Sequence, residues 1–304
     1  MNGSGGRLGF GTGGLLRIGS ARERQNVLAA ALANGITHFD TAPIYGFGEA
    51  ERSIGRLLVR ERSRLTVATK FGLTPSPMAM RLAPLQRLAR RTIARFPALR
   101  RAAVRGSGAL YNPPDFSPAA LRGSLESSLR ALGSDHVDFF LAHQASSAAL
   151  PSEALIDLLE DLRRAGKIGQ FGVATDFERL APVLTERPRL GRVVQFDSEL
   201  TTGHVGTLMQ ERRLLITYGF MQRTIAACRD RLRTASAEAA RLAELDDETL
   251  GGLLLRAAVL ANPHGITLMQ SRSPARIERN ARAAATADQD DRVRLLASLF
   301  EPRH

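Results

Sequence analysis

Short apolar runs alternate along this chain with longer stretches in which apolar residues recur every three or four positions. The first kind reads as strand and the second as the buried face of a helix. Strands are predicted over 7–12, 36–40, 65–70, 136–142, 168–173, 192–196, 213–218 and 265–269. Between them the spacing predicts helices over 20–33, 49–60, 117–132, 152–165, 177–186, about 205–212, 222–244, 247–261 and 274–286, with a last helix over 289–300. Local chemistry supports the boundaries: Ser20 suits a helix N-cap, Asn34-Gly35 a helix end, and Pro118 a first helical position. Runs such as Phe139-Phe140-Leu141 are continuously apolar rather than alternating, as in strands covered on both faces. Eight such βα units predict an α/β fold, the (β/α)8 TIM barrel, as a single domain over 1–304. A doubly wound sheet is the alternative, but no GxGxxG turn joins the first strand to the first helix.

One stretch breaks the alternation. Residues 73–116 are too long for an ordinary βα loop, and they carry Arg81, Arg87, Arg90, Arg91, Arg95, Arg100, Arg101 and Arg105 with no acid before Asp115. Leu85, Leu88, Ala89, Ile93, Phe96 and Leu99 fall roughly on one helical face, which predicts an amphipathic flap over the barrel mouth. A membrane-surface or polyanion-binding element is the competing reading. Tyr111 and the prolines after it are expected near the mouth, beside a substrate pocket.

Composition narrows the classes. A chain of 304 residues with 44% hydrophobic content can bury a full core. No apolar run reaches the roughly 18–20 residues of a membrane span, and MNGSGGRLGF lacks a charged-then-apolar leader pattern. The lone Cys228 excludes an internal disulfide framework, so a reducing, cytoplasmic setting is expected. A net charge of +12 raises the question of nucleic acid. Lys70 and Lys167 are the only lysines, every other such cation being arginine, which reads as a chain-wide coding bias and a solvated face. No specific nucleic-acid partner is expected; the oligomeric state is not legible in the sequence.

Asp40, Tyr45, Lys70 and His143 stand at or just past the ends of three predicted strands. In a parallel barrel all carboxyl strand ends share one face, so an acid, a phenol, an amine and an imidazole converge there. That set makes a proton-transfer site and points to an enzyme.

The run Phe39-Asp40-Thr41-Ala42-Pro43-Ile44-Tyr45-Gly46-Phe47-Gly48-Glu49-Ala50-Glu51-Arg52-Ser53-Ile54-Gly55 closely resembles the aldo-keto reductase signature. Lys70 after Ala68-Thr69, and His143 after Phe139-Phe140-Leu141-Ala142, match that family's other two catalytic positions in order and spacing. The resemblance runs from Gly9 to about Ala284 and implies reduction of an aldehyde or ketone to an alcohol. It also admits the reverse, a sugar or alcohol dehydrogenase like the bacterial aldose dehydrogenases. A non-catalytic reductase-like binding protein is the third class.

Elementary chemistry gives the four residues roles. A phenol with a pKa near 10 is a weak acid at neutral pH, and a cation beside it favours the phenolate, so Lys70 is expected to make Tyr45 a better donor. Asp40 would hold the ammonium, and His143 would aim the carbonyl. None of these groups delivers two electrons, so a hydride carrier is required.

The resemblance implies NADP(H). Ser271, Arg272, Arg276 and Asn280 match the segment that holds the adenosine 2′-phosphate, at a helix start suited to anions. Gln270 replaces a lysine common in the family, and Arg279 replaces a glutamate, which leaves NAD(H) open. At the nicotinamide end Gln195 matches the residue that bonds the carboxamide, and Tyr218 the aromatic that stacks on the ring. Thr175, with Asp176, stands where a Ser-Asn pair is usual, and Gly219-Phe220-Met221-Gln222 replaces a Pro-Leu-Gly run. Gly11 and Thr12, at the turn after the first strand, complete the expected cofactor contacts. The substrate is expected to be a small carbonyl compound or sugar, with no metal.

Overall fold

Side-chain parity along the strands explains both the architecture and the position of its polar residues. A computed structural model describes residues 7–77, 111–198, 200, 203–209, 213–219 and 221–300. Eight parallel strands close in sequence order: β1 (Arg7–Gly11), β2 (His38–Asp40), β3 (Thr66–Phe71), β4 (Val137–His143), β5 (Ile168–Ala174), β6 (Val193–Asp197), β7 (Leu214–Tyr218) and β8 (Ile266–Met269). The last pairs with the first, Phe10 opposite Met269. Around them lie α1 (Ala21–Ala33), α2 (Glu49–Glu61), α3 (Pro118–Leu132), α4 (Glu153–Arg164), α5 (Phe177–Glu186), α6 (His204–Met209), α7 (Met221–Leu232), α8 (Ala237–Ala240), α9 (Asp247–Ala261), α10 (Pro274–Ala285) and α11 (Asp290–Ser298).

The predicted caps form. Ser20 and Glu23 make a reciprocal capping box at α1, and Ser117 accepts from the Ala120 amide just before Pro118 opens α3. Outward side chains such as Phe10, Phe39, Phe71, Phe140, Phe171 and Phe196 fill the layer between sheet and helices. Each is fully buried, which is worth roughly 1.5–3 kcal/mol per side chain. Inward side chains Leu141, Ala174, Val193, Ile216, Ile266 and Leu268 fill the barrel itself. Two apolar environments per strand are why the runs are continuous. At Gly9 the lumen is too narrow for a side chain: a Cβ there would lie 2.7 Å from Leu268 and 2.9 Å from His38.

The structure corrects two boundaries. The second strand begins at His38 rather than at 36, because the Ile36 amide still bonds Ala31 O at the exit of α1. The helix expected over 222–244 ends at Leu232. Ser236 caps α8 instead, and a 3-10 turn over Arg241–Glu244 follows. The break folds Leu232, Ala239 and Leu242 into one apolar cluster with Leu250, Leu254, Val293 and Leu296. Of the helix expected over 205–212, His204–Met209 is described.

The arginine-rich segment expected as a flap, Arg81 to Arg105, lies outside the described residues. The flanks of that segment meet each other: Pro75 bridges Tyr111, the Asn112 amide donates to Thr74 O at 3.0 Å, and the Asp115 amide donates to Gly72 O at 2.9 Å. Among the described residues no helix is long and apolar enough to cross a membrane.

Candidate active site

The parity that buries Leu141, Val193 and Ile216 in the lumen carries His143, Gln195 and Tyr218 inward one step higher, at the carboxyl ends of β4, β6 and β7. Asp40 and Lys70 arrive the same way at the ends of β2 and β3. Five predicted residues therefore share the mouth: Asp40, Lys70, His143 and Tyr218 stand at the last inward position of their strands, and Gln195 stands one inward position before Asp197, which ends β6.

Tyr45 comes from the loop after β2. Three consecutive left-handed residues, Gly46 (φ 61), Phe47 (φ 58) and Gly48 (φ 79), reverse the chain, and Gly48 N–H donates to Pro43 O at 2.8 Å. A side chain at Gly46 would meet Leu16 at 2.3 Å, so glycine is required there for space as well as conformation. Phe47 holds an unfavourable conformation that costs on the order of 1 kcal/mol, compensated by the fixed turn.

Lys70 is 2% exposed and has all three ammonium protons engaged: Asp40 Oδ1 and Oδ2 at 2.8 Å each, and Thr41 O at 2.9 Å. It therefore acts on Tyr45 through space, its Nζ 5.4 Å from the ring centre. Burial pulls the amine down, but the Asp40 and Tyr45 charges and the Asp40 hydrogen bonds outweigh it, so Lys70 stays charged with its pKa raised. For Tyr45 the outcome reverses the sequence expectation. Lys70 is the largest single influence and lowers the phenol, yet burial, Asp40 and Tyr111 together leave it above its ordinary value. The physical reason is first that burial penalises the phenolate, and then that the Asp40 charge accompanies the cation and opposes its field.

His143 stands perpendicular to Tyr45, ring centres 6.4 Å apart. Burial, and then Lys70, push it down to about 3, so it is neutral at physiological pH with one N–H and one lone pair. Its Nδ1 is buried without a partner among the described residues.

Gln195 is 2% exposed and donates Nε2 to Asp40 Oδ2 at 2.9 Å, while its Oε1 is buried without a partner. Thr175 donates its hydroxyl to Ala145 O at 3.0 Å. Tyr218 is half-buried, its phenol pushed well up by burial and by Asp176, Asp197, Tyr45 and Asp40.

The remaining predicted contacts lie along the β1–β8 side of the rim. Thr12 is fully buried and donates to Asp40 O at 2.9 Å from both its amide and its hydroxyl, so its side chain pins β1 to β2. Gly11 faces Asp40 in the β1–β2 register. The next two glycines were not singled out in the sequence, although their adjacency after a strand was a signal. A Cβ on Gly13 would touch Tyr45 at 3.6 Å, and one on Gly14 would overlap the Gln270 amide at 1.6 Å. Gln270 thus lies along the bare Gly14 backbone.

Beyond it Ser271 exchanges bonds with the Ser273 backbone, and Ser273 caps α10 by accepting from the Arg276 amide at 3.4 Å. Arg272 and Arg276 are exposed, and neither guanidinium has a partner among the described residues. Asn280 follows one turn later on α10. Arg279, by contrast, is tied to Glu248 on α9 through a 2.7 Å hydrogen bond. The turn after β7 contains Gly219 (φ 82), and position 220 lies outside the described residues.

These features fit an extended dinucleotide: unpartnered buried polar atoms on Gln195 and His143 at one end, two glycines in the middle, and two free guanidinium groups at a helix start at the other.

The model of the aldo/keto reductase family matches residues 7–194. The aldo-keto reductase yakc of Schizosaccharomyces pombe, named as NADP(+)-dependent, is 29% identical over 172 residues, 55% of this chain and 42% of its own length. The D-threo-aldose 1-dehydrogenase of a Pseudomonas species is 28% identical over 183 residues, 55% of this chain and 49% of its own. The matches thus span about half the length of these curated relatives. An aldo-keto reductase from Bacillus halodurans, solved in its holo form, superposes with a TM-score of 0.71 at 16% identity, covering 97% of this chain and 92% of that one. At that identity the superposition speaks for the fold.

Proposed function

The chain belongs to the aldo/keto reductase family, and we propose that it works as an NADP(H)-dependent oxidoreductase reducing an aldehyde or ketone to the alcohol. The observation that carries this reading is the Asp40–Lys70 pair with every ammonium proton engaged, directly beside Tyr45, whose ring stands perpendicular to a neutral His143.

Tyr45 donates its phenolic proton to the carbonyl oxygen as charge develops there. The fixed positive charge of Lys70 stabilises the phenolate that Tyr45 becomes, and Asp40 keeps that charge in place. His143, uncharged, offers its single N–H to the carbonyl oxygen and orients it toward Tyr45. When bound, the nicotinamide cofactor supplies the hydride that no side chain here can give. Gln195, Thr175 and Tyr218 would hold its nicotinamide end; Gly11 borders the path beside Gly13 and Gly14; and Ser271, Arg272, Arg276 and Asn280 would hold its adenosine end.

The two unpaired arginines support NADP(H) over NAD(H). With Gln270 turned along Gly14, Arg272 and Arg276 are the cations left for a 2′-phosphate. The relative named as NADP(+)-dependent agrees.

Oxidation of a sugar or alcohol by the same site is the second reading, favoured by the aldose dehydrogenase relative. It needs Tyr45 as the phenolate before reaction. The Lys70 charge favours that phenolate, while burial and Asp40 oppose it. The substrate on either reading is a small molecule, and the barrel is a single catalytic unit. The test is turnover of aldehydes with NADPH against alcohols and aldoses with NADP+, both at pH 7. Faster reduction supports the proposal. Faster oxidation selects the second reading, and no turnover in either direction rejects both.

A further inference from the structure

Hydrogen-bond polarity at the ends of β5 and β6 is one-sided. Asp40 is an acceptor only, so the Gln195 amide must turn its NH2 toward it, and the 2.9 Å contact fixes that orientation without ambiguity. What Gln195 has left is Oε1, a buried acceptor with no donor among the described residues. Such a group costs about 1–3 kcal/mol unless a ligand supplies the proton. The neighbouring Thr175, whose amide bonds Gln195 O, has already given its hydroxyl proton to Ala145 O.

Asp176 and Asp197 add only lone pairs. Asp197 faces Tyr218 in the β6–β7 register, and its carboxylate takes the Phe177 N–H, a donor at the start of α5, at 2.8 Å. Asp176 is half-exposed with Arg179 at 3.8 Å, and Arg179 also reaches Gln144. On the far side of the mouth the Lys70 charge is matched by Asp40. Among the described residues the rim beside Tyr218 therefore offers acceptors and, at Asp197, negative charge, while the Thr175 hydroxyl and the Gln195 N–H are engaged elsewhere.

We infer that this rim is built for a ligand end that carries N–H donors and positive charge, so that the oxidised nicotinamide, with its cationic ring and its carboxamide NH2, binds more tightly than the reduced form. The inference rests on the cofactor reading above. A cation beside an aromatic face and two carboxylates gains from each, and the neutral reduced ring gains from none through charge. Burial holds the Tyr218 phenol high, and the Asp176 and Asp197 charges that add to it are the same field. By linkage, a tighter grip on the oxidised form draws the bound equilibrium toward carbonyl reduction by the same factor.

The test is equilibrium binding rather than turnover. The chain has 3 tyrosines and no tryptophan. Tyr45 and Tyr218 stand at the mouth, and Tyr111 is near enough to act on Tyr45. Intrinsic fluorescence therefore reports on this region. Titrating NADP+ and NADPH should give the oxidised form an advantage of about 5-fold or more, the scale of one partly exposed charge pair. Asp197→Asn keeps an acceptor for the Phe177 N–H and removes the charge, and it should erase most of that advantage. Asp176→Asn should erase less. The 3-acetylpyridine analogue of NADP+, with a methyl in place of the NH2, should bind about 10-fold more weakly than NADP+. Equal binding of the two redox forms by the native protein overturns the inference, as does a ratio that neither variant changes. Binding of neither form removes the cofactor reading, and this inference falls with it.

Discussion

Acidification should unfold this protein through two buried histidines before its catalytic acid is affected. His38 faces the lumen below Asp40, with Nδ1 2.9 Å from Thr66 Oγ1, its ring packed edge-on to Phe139 and its Nε2 buried without a partner. Burial, then Lys70 and Arg7, lower it from 6.5 to about 3, and His143 is lowered to about 3 as well. A base whose folded pKa is depressed binds fewer protons folded than unfolded, so the penalty is absent above pH 6.5 and grows as pH falls toward 3. At pH 5, 1.5 units below the unfolded value at about 1.36 kcal/mol per unit, each histidine removes about 2 kcal/mol. Together they remove about 4 kcal/mol from a domain whose total stability is on the order of 5–15 kcal/mol.

Urea unfolding of the native protein and of His38→Gln at pH 7.5 and pH 5.0 isolates one share. Glutamine can still bond Thr66 and cannot be charged, so the variant should lose about 2 kcal/mol less than the native protein between the two pH values. The other acid-sensitive groups, among them Asp135, Asp246 and Asp290 with their lowered pKa values, are common to both proteins and cancel. An identical loss in the two proteins would show that His38 does not remain neutral in the fold, and would refute the reasoning.

Two further outcomes follow from other buried and exposed charges. Glu51 is buried, accepts from Thr69 Oγ1 at 2.7 Å, and is raised mainly by burial; its favourable proton uptake is present below the unfolded pKa and lost as pH rises, so Glu51→Gln should raise Tm at pH 8 and make little difference at pH 4.5. A gain independent of pH, or none at either, would contradict that sign. Arg272→Ala should weaken NADPH about 10-fold and leave NADH nearly unchanged, as expected for a charge-assisted phosphate contact; equal losses in fluorescence titrations would remove the 2′-phosphate role.

The barrel was legible because local rules agree with the global fold. Continuous apolar strands, a Ser20 capping box and Pro118 at a helix start each point to the same alternation. Asp40, Lys70 and His143 were legible as strand-end residues, and the structure brings them together with Tyr45. What was hidden depends on register across the lumen. The Gln195–Asp40 bond joins positions 155 apart, and nothing local distinguishes that glutamine from one free to face a ligand. The sign of the Tyr45 shift was hidden for the same reason, since it depends on how deeply the folded barrel buries the phenol and on the Asp40 charge held beside Lys70. Arg279 stands at a family cofactor position, yet its partner Glu248 lies on another helix. The break after Leu232 is set by tertiary packing of an apolar cluster rather than by a strong local stop.

The central claim is that Tyr45 is the proton donor and that the Asp40–Lys70 pair and His143 serve it. Tyr45→Phe removes one hydroxyl and keeps the ring that packs against Gly13 and His143. Single-turnover oxidation of bound NADPH by an activated aromatic aldehyde, with the NADPH Kd measured separately, reads the chemical step alone. The account predicts a rate about 10²–10⁴-fold lower with a Kd within about twofold of the native value. A variant that binds NADPH normally and reduces the aldehyde within about tenfold of the native rate would contradict it.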